Sequence, residues 1–245
     1  MKKDIDFYNK ASGSYSDKRY LGDADNFIKF FFKRRLGLFL GFLRTELATN
    51  FFGRKISLLD IGCADGFVMA QAYAISPKSI ERAVGIDTSP DMINQARKSF
   101  SSARPFDFFV RGTEAPKQYD VIVELGVPIS DWKSEFTFVS SRLTDDGVYI
   151  FSTPGSKNSL YSRLKGEFHI DNPLSFREFD SLIAEFFEVK ESKVYAFFVP
   201  KLWTAPSVAR FFSPIIEGVF SLILPSLFHE KMYVLRKKSS KASHG

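Results

Sequence analysis

The stretch LLDIGCADGF (residues 58–67) carries an apolar run straight into a loop that holds Asp60, Gly62, Cys63 and Gly66, then opens a helical pattern. Glycines in such a loop let the backbone turn sharply and let a ligand approach it, while a new helix N-terminus offers unpaired N–H groups to an anion. A nucleotide-like cofactor is the occupant this chemistry suggests. Counting from Gly62, the second and third glycine positions of the dinucleotide fingerprint hold Ala64 and Phe67, which argues against NAD and FAD. No Gly-Lys-Ser/Thr follows, so a phosphate loop is absent. Downstream, Asp87 closes the apolar run RAVGID (82–87). A carboxylate at a second strand end is placed to accept both hydroxyls of a ribose. Alone it reads as readily as a helix cap; the glycine loop upstream tips the balance to the ribose.

Groups for acid–base work are sparse. Glu124 ends a later strand-like run and Asp131 follows it, while His169 is one of three histidines and sits in GEFHIDNPLSFREF. Glu124 is equally explained as a group that only orients a ligand, and a single histidine is more often a hydrogen-bonded structural residue. The lone cysteine, Cys63, reads as a small buried filler rather than a reactive thiol. One cysteine excludes an internal disulfide and every cysteine-clustered metal site. Trp132 and Trp203 each lie beside a loop on the acceptor side, or in plain core.

The elements that must position these groups alternate between Ile56 and Phe151. Strand-like runs occur at 56–61, 82–87, 106–111, 119–125 and 147–152, with helical patterns at 67–74, 90–100 and 132–143 between them. That alternation signals βαβ units and a parallel sheet. Pro90 suits a first helical turn. A further helix over 175–186 opens with Ser175 and Glu178 three residues on, a capping-box pattern. Two late strands fall at 188–200 and 230–238, a long helix at 26–49, and ahead of it an arm with Tyr8, Tyr15 and Tyr20 that is too polar for core. LTDDG (143–147) reads as a turn.

LLDIGCADG followed by VGIDTSPDMINQAR resembles the first two motifs of the class I S-adenosylmethionine-dependent methyltransferases, small-molecule (methyltransferase type 11/12-like) branch. VRGTEAP, YDVIVELGV and LTDDGVYIFSTPG match the family's third, fourth and fifth strands, and the resemblance covers roughly residues 5–200. It implies an α/β, Rossmann-like three-layer sandwich with a seven-stranded, mostly parallel sheet and an antiparallel last strand. It implies S-adenosyl-L-methionine as cofactor. Asp60 and the Gly62 backbone would hold the methionine ammonium, within a loop completed by Cys63 and Gly66. Asp87 would take the ribose hydroxyls, Thr88 and Met92 would lie near adenine, and Leu125 would flank the site. Thr113 or Glu114 would face the adenine amine, although many relatives have Gly-Asp-Ala where this chain has Gly112, Thr113 and Glu114. Tyr15, in the arm, would fold over the cofactor. His169 lies in a stretch similar to one found in relatives that methylate hydroxyls, which makes it, Glu124 and Asp131 the candidate catalytic groups. FSTPGSKN lacks the Asp of metal-dependent catechol-type relatives, so no metal is expected.

The whole chain has 245 residues, 44% hydrophobic and 25% charged, which excludes disordered and collagen-like classes. The organisation expected is a lid arm and helix over 1–55, a cofactor-binding core over 56–200, a helical insertion over 201–229, a final strand over 230–238 and a polar, disordered tail over 239–245, all in one structural domain. No signal peptide opens the sequence, and the apolar tract 211–228 is broken by Pro214, Glu217 and Pro225, so a cytoplasmic protein is expected. The net charge of +6 is uneven: residues 1–55 carry +6, 231–245 carry +5, and the middle carries −5. Basic excess at the ends, away from the site, argues against nucleic acid as partner. Helix 27–43 interleaves Lys29, Lys33, Arg34 and Arg35 with phenylalanines, and the insertion is apolar on nearly every face. The resemblance implies a small-molecule, sugar or lipid-linked acceptor, most readily methylated at oxygen, and these two features favour a lipid-linked one with peripheral contact at the inner membrane face. Monomer and homodimer both stay open, as do an RNA methyltransferase and a non-catalytic binding protein of the same fold.

Overall fold

In parallel sheets both faces are covered, so strands read as continuous apolar runs, and β1 (Ile56–Ile61, ISLLDI) is buried along nearly its whole length. The structure, a computed structural model, describes residues 8–23, 27–100, 105–114, 117–165, 173–197 and 206–238. Around β1 lie β2 (Ile80–Asp87), β3 (Phe106–Val110), β4 (Tyr119–Leu125), β5 (Leu143–Ser152), β6 (Phe187–Tyr195) and β7 (Glu230–Lys237). Their order across the sheet is β3-β2-β1-β4-β5-β7-β6. Neighbours from β3 to β5 run parallel, and β7 runs antiparallel to both β5 and β6.

Beside a helical turn at residues 8–11 and two short 3-10 turns, the described residues form eight helices. They are α1 (Tyr15–Arg19), α2 (Phe27–Ala48), α3 (Phe67–Ile75), α4 (Pro90–Phe100), α5 (Trp132–Arg142), α6 (Leu160–Lys165), α7 (Phe176–Phe186) and α8 (Pro206–Ile223). Strand side chains alternate between faces. Leu58, Val121, Val123 and Ile150 therefore pack with Phe39, Met69 and Ile93 of α2, α3 and α4. Leu59, Ile122, Tyr149 and Phe151 pack with Phe136, Val139 and Phe179 of α5 and α7. The chain thus forms three layers. The described residues of 111–118, which join β3 to β4, contain no helix.

Several boundaries depart from the sequence pattern. LTDDG is the first half of β5 rather than a turn, with a register shift opposite Tyr119–Val121 that absorbs the extra residues. Tyr20 is buried, not part of a polar arm: its ring stacks on Phe67 at 4.9 Å and meets Phe32 edge-on at 5.6 Å. α6 is an additional helix. The Ser175–Glu178 capping box forms as the pattern predicts.

Candidate functional site

In an open α/β sheet, ligands bind beyond the carboxyl ends of the strands where the strand order reverses. Here β1 leads outward to β2 and the chain later returns to β1's other side as β4, and a cavity of about 440 Å³ lies at that edge. The loop after β1 contributes Gly62 and Ala64, β2 ends in Asp87 and Thr88, and Arg111 follows β3. Leu125 to Asp131 form the wall after β4, Ser134 and Glu135 come from α5, and Tyr8 and Tyr15 close the cavity from the N-terminal arm.

The glycine loop is built by backbone. Gly62 and Cys63 both donate their N–H to the carbonyl of Ile86, at 2.8 and 3.1 Å. Gly62 has φ +71°, and a Cβ there would meet Val127 Cγ2 at 2.4 Å; Gly66, at φ +83°, would meet Phe108 Cε1 at 2.8 Å. Only glycine fits both demands. Asp87 accepts from the N–H of Ala64 (2.9 Å) and of Ser89 (2.8 Å), which ties the second strand end to the loop. Asp60 is 2% exposed and its Oδ2 has no hydrogen-bond partner. Burial, and then the nearby Asp87, push its carboxyl well above the usual range. Asp60 and Gly66 stand behind the cavity lining; a buried, unpaired carboxylate oxygen beside a glycine turn fits a cationic amine, and Asp87 facing the cavity fits a diol. The donor set therefore suits an amino-acid nucleoside.

The remaining expected site residues divide by position. Leu125, Thr88 and Tyr15 line the cavity, with the Arg19 guanidinium 3.8 Å above the Tyr15 ring. Cys63 and Met92 are buried and form no part of its lining. Thr113 is turned out and donates to the Val110 carbonyl at 2.7 Å, while buried Glu114 accepts from the Gly112 N–H at 2.6 Å. Neither lines the cavity. Glu124 lies apart from the cavity. Because strand faces alternate, it points into the α5 and α7 layer, is fully buried, and accepts a hydrogen bond from the Tyr149 hydroxyl. Burial and Glu135 raise its carboxyl pKa. Asp131 lines the cavity, but its carboxylate caps α5, accepting from the Ser134 N–H (3.1 Å) and hydroxyl (2.6 Å), and those bonds lower its pKa. Trp132 is core, packed on Phe136, Phe151 and Phe179. His169 and Trp203 lie outside the described residues.

Three features escape sequence reasoning. Arg111 binds Glu135 at 2.6 Å on the cavity wall. The arm is tied to the glycine loop by Ser16, whose N–H and hydroxyl both donate to Asp65, at 3.1 and 2.7 Å. Arg35 of α2 pairs with Glu230 of β7, reaches the Leu125 carbonyl, and lies over the rings of Phe31 and Phe32. The basic helix pattern shows Arg35, but nothing in a linear sequence links it to a residue in the last strand. Among the described residues no group of three or more His, Cys, Asp or Glu side chains is arranged to hold a metal.

A mixed seven-stranded sheet with a glycine loop and an acidic second strand end at its reversal point defines a Rossmann-like fold that binds a nucleoside cofactor. The sequence profile of the methyltransferase domain matches residues 32–185, and the chain belongs to that family, the S-adenosylmethionine-dependent methyltransferases. Its cofactor is S-adenosyl-L-methionine. A malonyl-[acyl-carrier protein] O-methyltransferase of Priestia megaterium (strain DSM 319 / IMG 1521) is 29% identical over 133 residues. That match spans 50% of this chain and 47% of the relative, about half of each. The fold is shared with solved structures at low identity. One is from a complex with the Haloferax volcanii Trm112 methyltransferase activator (TM-score 0.62, 15% identical, covering 94% of this chain and 97% of that one). Another is the N-methyltransferase NodS of Bradyrhizobium japonicum WM9 with S-adenosyl-L-homocysteine (0.56, 16%, 88% and 90%). A third is the [4+2]-cyclase SpnF (0.62, 13%, 95% and 94%), so the architecture by itself does not define a reaction.

Proposed function

We propose that the protein transfers the methyl group of S-adenosyl-L-methionine to an oxygen of a small-molecule, sugar or lipid-linked acceptor. The observation that carries the cofactor half is the buried Asp60 with its unpartnered Oδ2 beside Gly62. Asp60 and the Gly62 backbone take the ammonium, Asp87 the ribose hydroxyls, and Thr88 and Leu125 the walls near the base. Met92, Thr113 and Glu114 keep those walls in shape from behind. Tyr8 and Tyr15 cover the opening and exclude water, which strengthens every electrostatic contact inside. When bound, the cofactor supplies a methyl already activated on a sulfonium, so the protein's main task is to hold the acceptor in line.

The oxygen half is supported by the O-methyltransferase relative. A hydroxyl acceptor must lose a proton. Glu124 is sealed beneath Tyr149 and Asp131 is spent on a helix cap, so of the three groups singled out in the sequence His169 is the one left. His169 keeps that role in the segment after β5. His229 is the second candidate, beside the carboxyl end of β5, where its N–H donates to the Ala196 carbonyl and its carbonyl accepts from Ser156. Its Nδ1 lies 3.2 Å from Ser159 Oγ, and that hydroxyl donates onward to Ser162 at 2.9 Å.

Calorimetry with S-adenosyl-L-homocysteine tests the cofactor site, and transfer of labelled methyl into a fractionated cell extract tests the acceptor. Label in the small-molecule or lipid fraction is expected. Label confined to RNA overturns the acceptor assignment.

A further inference from the structure

An amphipathic helix on a protein surface normally turns its apolar stripe inward, but α8 has two apolar faces and only one is covered. Its inner face holds Ile216 and Phe220; the Phe220 ring stacks on Phe197 at 5.1 Å, and Phe197 in turn meets the buried Phe228 at the same separation. The one acidic residue of α8, Glu217, also points inward. It is 6% exposed and accepts from Arg34 of α2 (2.7 and 3.0 Å) and from the Ala196 N–H (3.1 Å). The outer face bears Val208, Phe211, Phe212, Ile215, Val219 and Leu222, spaced as one stripe of a 3.6-residue helix. Phe211 is 70% and Leu222 86% exposed. Continuous exposed apolar surface of this kind marks a binding face.

We propose that this face docks on an anionic lipid bilayer, a reading that rests on the lipid-linked acceptor of the proposed function. Charge favours the bilayer over a second copy of the chain. α8 packs against α2, whose first turns carry Lys29 and Lys33, while Arg34 is taken up by Glu217. Two such surfaces brought together repel, whereas a layer of anionic headgroups attracts both. No helix among the described residues is long and apolar enough to cross a membrane, so α8 lies along the interface with its stripe among the acyl chains. It hangs between the carboxyl end of β6 and the start of β7. That is the edge of the sheet where the cavity opens, so docking brings the acceptor side of the site to the bilayer.

The test is co-sedimentation of the full chain with phosphatidylcholine vesicles, with and without phosphatidylglycerol, at low and high salt. It is repeated on the double variant Phe211→Glu, Leu222→Glu. Both substitutions place a charge where an apolar side chain would be buried among acyl chains, so the double variant is expected to bind anionic vesicles at least about a hundredfold more weakly, with unchanged Tm. Wild-type binding should need phosphatidylglycerol and weaken at high salt. No wild-type binding, or equal binding by the variant, overturns the proposal; so does light scattering that shows a dimer which the variant splits. Affinity for S-adenosyl-L-homocysteine, measured without vesicles, reports separately on the cofactor site, so failure of the docking face and failure of the methyltransferase reading are distinguishable.

Discussion

On the β3-β2-β1-β4 side of the sheet, polar groups at the site are met mainly by backbone: Asp87 by two N–H groups, Gly62 and Cys63 by the Ile86 carbonyl, Glu114 by the Gly112 N–H. On the β5-β7-β6 side, side chains answer one another: Glu230 with Arg35 and Tyr195, Glu217 with Arg34, Glu46 with Lys190. The first arrangement asks little of side-chain identity except glycine and a carboxylate, and it suits a ligand that does not change. The second depends on particular pairs from distant parts of the chain, and it suits a surface fitted to one acceptor. Removing a partner should therefore cost fold stability on one side and ligand affinity on the other.

The largest effect is expected at Arg35. Its loss leaves Glu230 buried without a counter-charge, so Arg35→Met should lower unfolding stability by about 3–5 kcal/mol in urea. Adding Glu230→Leu should restore most of it. A loss below ~1 kcal/mol would erase the contrast between the two sides. Asp87→Ala should instead weaken S-adenosyl-L-homocysteine binding by about 1–3 kcal/mol, as expected for a lost charge-assisted contact, with Tm nearly unchanged. Calorimetry reads the first quantity and a melting curve the second.

Asp60 sharpens the comparison through protons. Burial holds its carboxyl pKa high in the free protein, so this group contributes stability at low pH that is lost as pH rises from the unfolded value of about 4 toward the raised folded one. A bound ammonium favours the ionised form and reverses the trend. Binding should release a proton, and affinity should climb with pH up to the raised pKa. Titrations in two buffers of different ionisation enthalpy measure the release; none would remove Asp60 from the ammonium site. Ser16→Ala cuts the tie to Asp65 and should speed protease clipping of residues 1–22, with cofactor product slowing it less than in the parent. The smallest effect belongs to Lys157, whose exposed pairing at 2.6 Å, with Ser175, draws Glu178 down to about 2. Lys157→Met should cost under ~1 kcal/mol. What it costs should vanish as pH falls below the ordinary glutamate range toward 2, seen in acid titration followed by circular dichroism.

The glycine loop, Asp87 and the Ser175 capping box were legible because each is a local pattern whose chemistry lies within a few residues. Glu124 misled because its position at a strand end was read without its face: Val121 and Val123 turn one way, Ile122 and Glu124 the other. Tyr20 looked solvated because its neighbours in sequence are polar, while its neighbours in space are Phe32 and Phe67. Arg35 with Glu230, and Arg34 with Glu217, join residues far apart in the chain. Periodicity carries no information about such pairings. The apolar insertion was visible as a segment in need of cover, but the inward turn of its only acid was not.

The link between β3 and β4, whose described residues contain no helix, limits where this chain can change length. From the carboxyl end of β3 to the start of β4, the backbone must cross three strand spacings, about 14 Å, and descend the length of β1, about 20 Å. The straight path is thus about 25 Å, and the steps from Val110 to Tyr119 reach about 30 Å when fully drawn out. Taking two residues from this link would leave roughly 24 Å, no slack beyond the straight path itself. The segment between β6 and β7 joins adjacent antiparallel strands, needs no crossover, and still carries a whole helix, so it has slack to spare. Deletions and grafts should therefore be absorbed at one edge of the sheet and refused at the other.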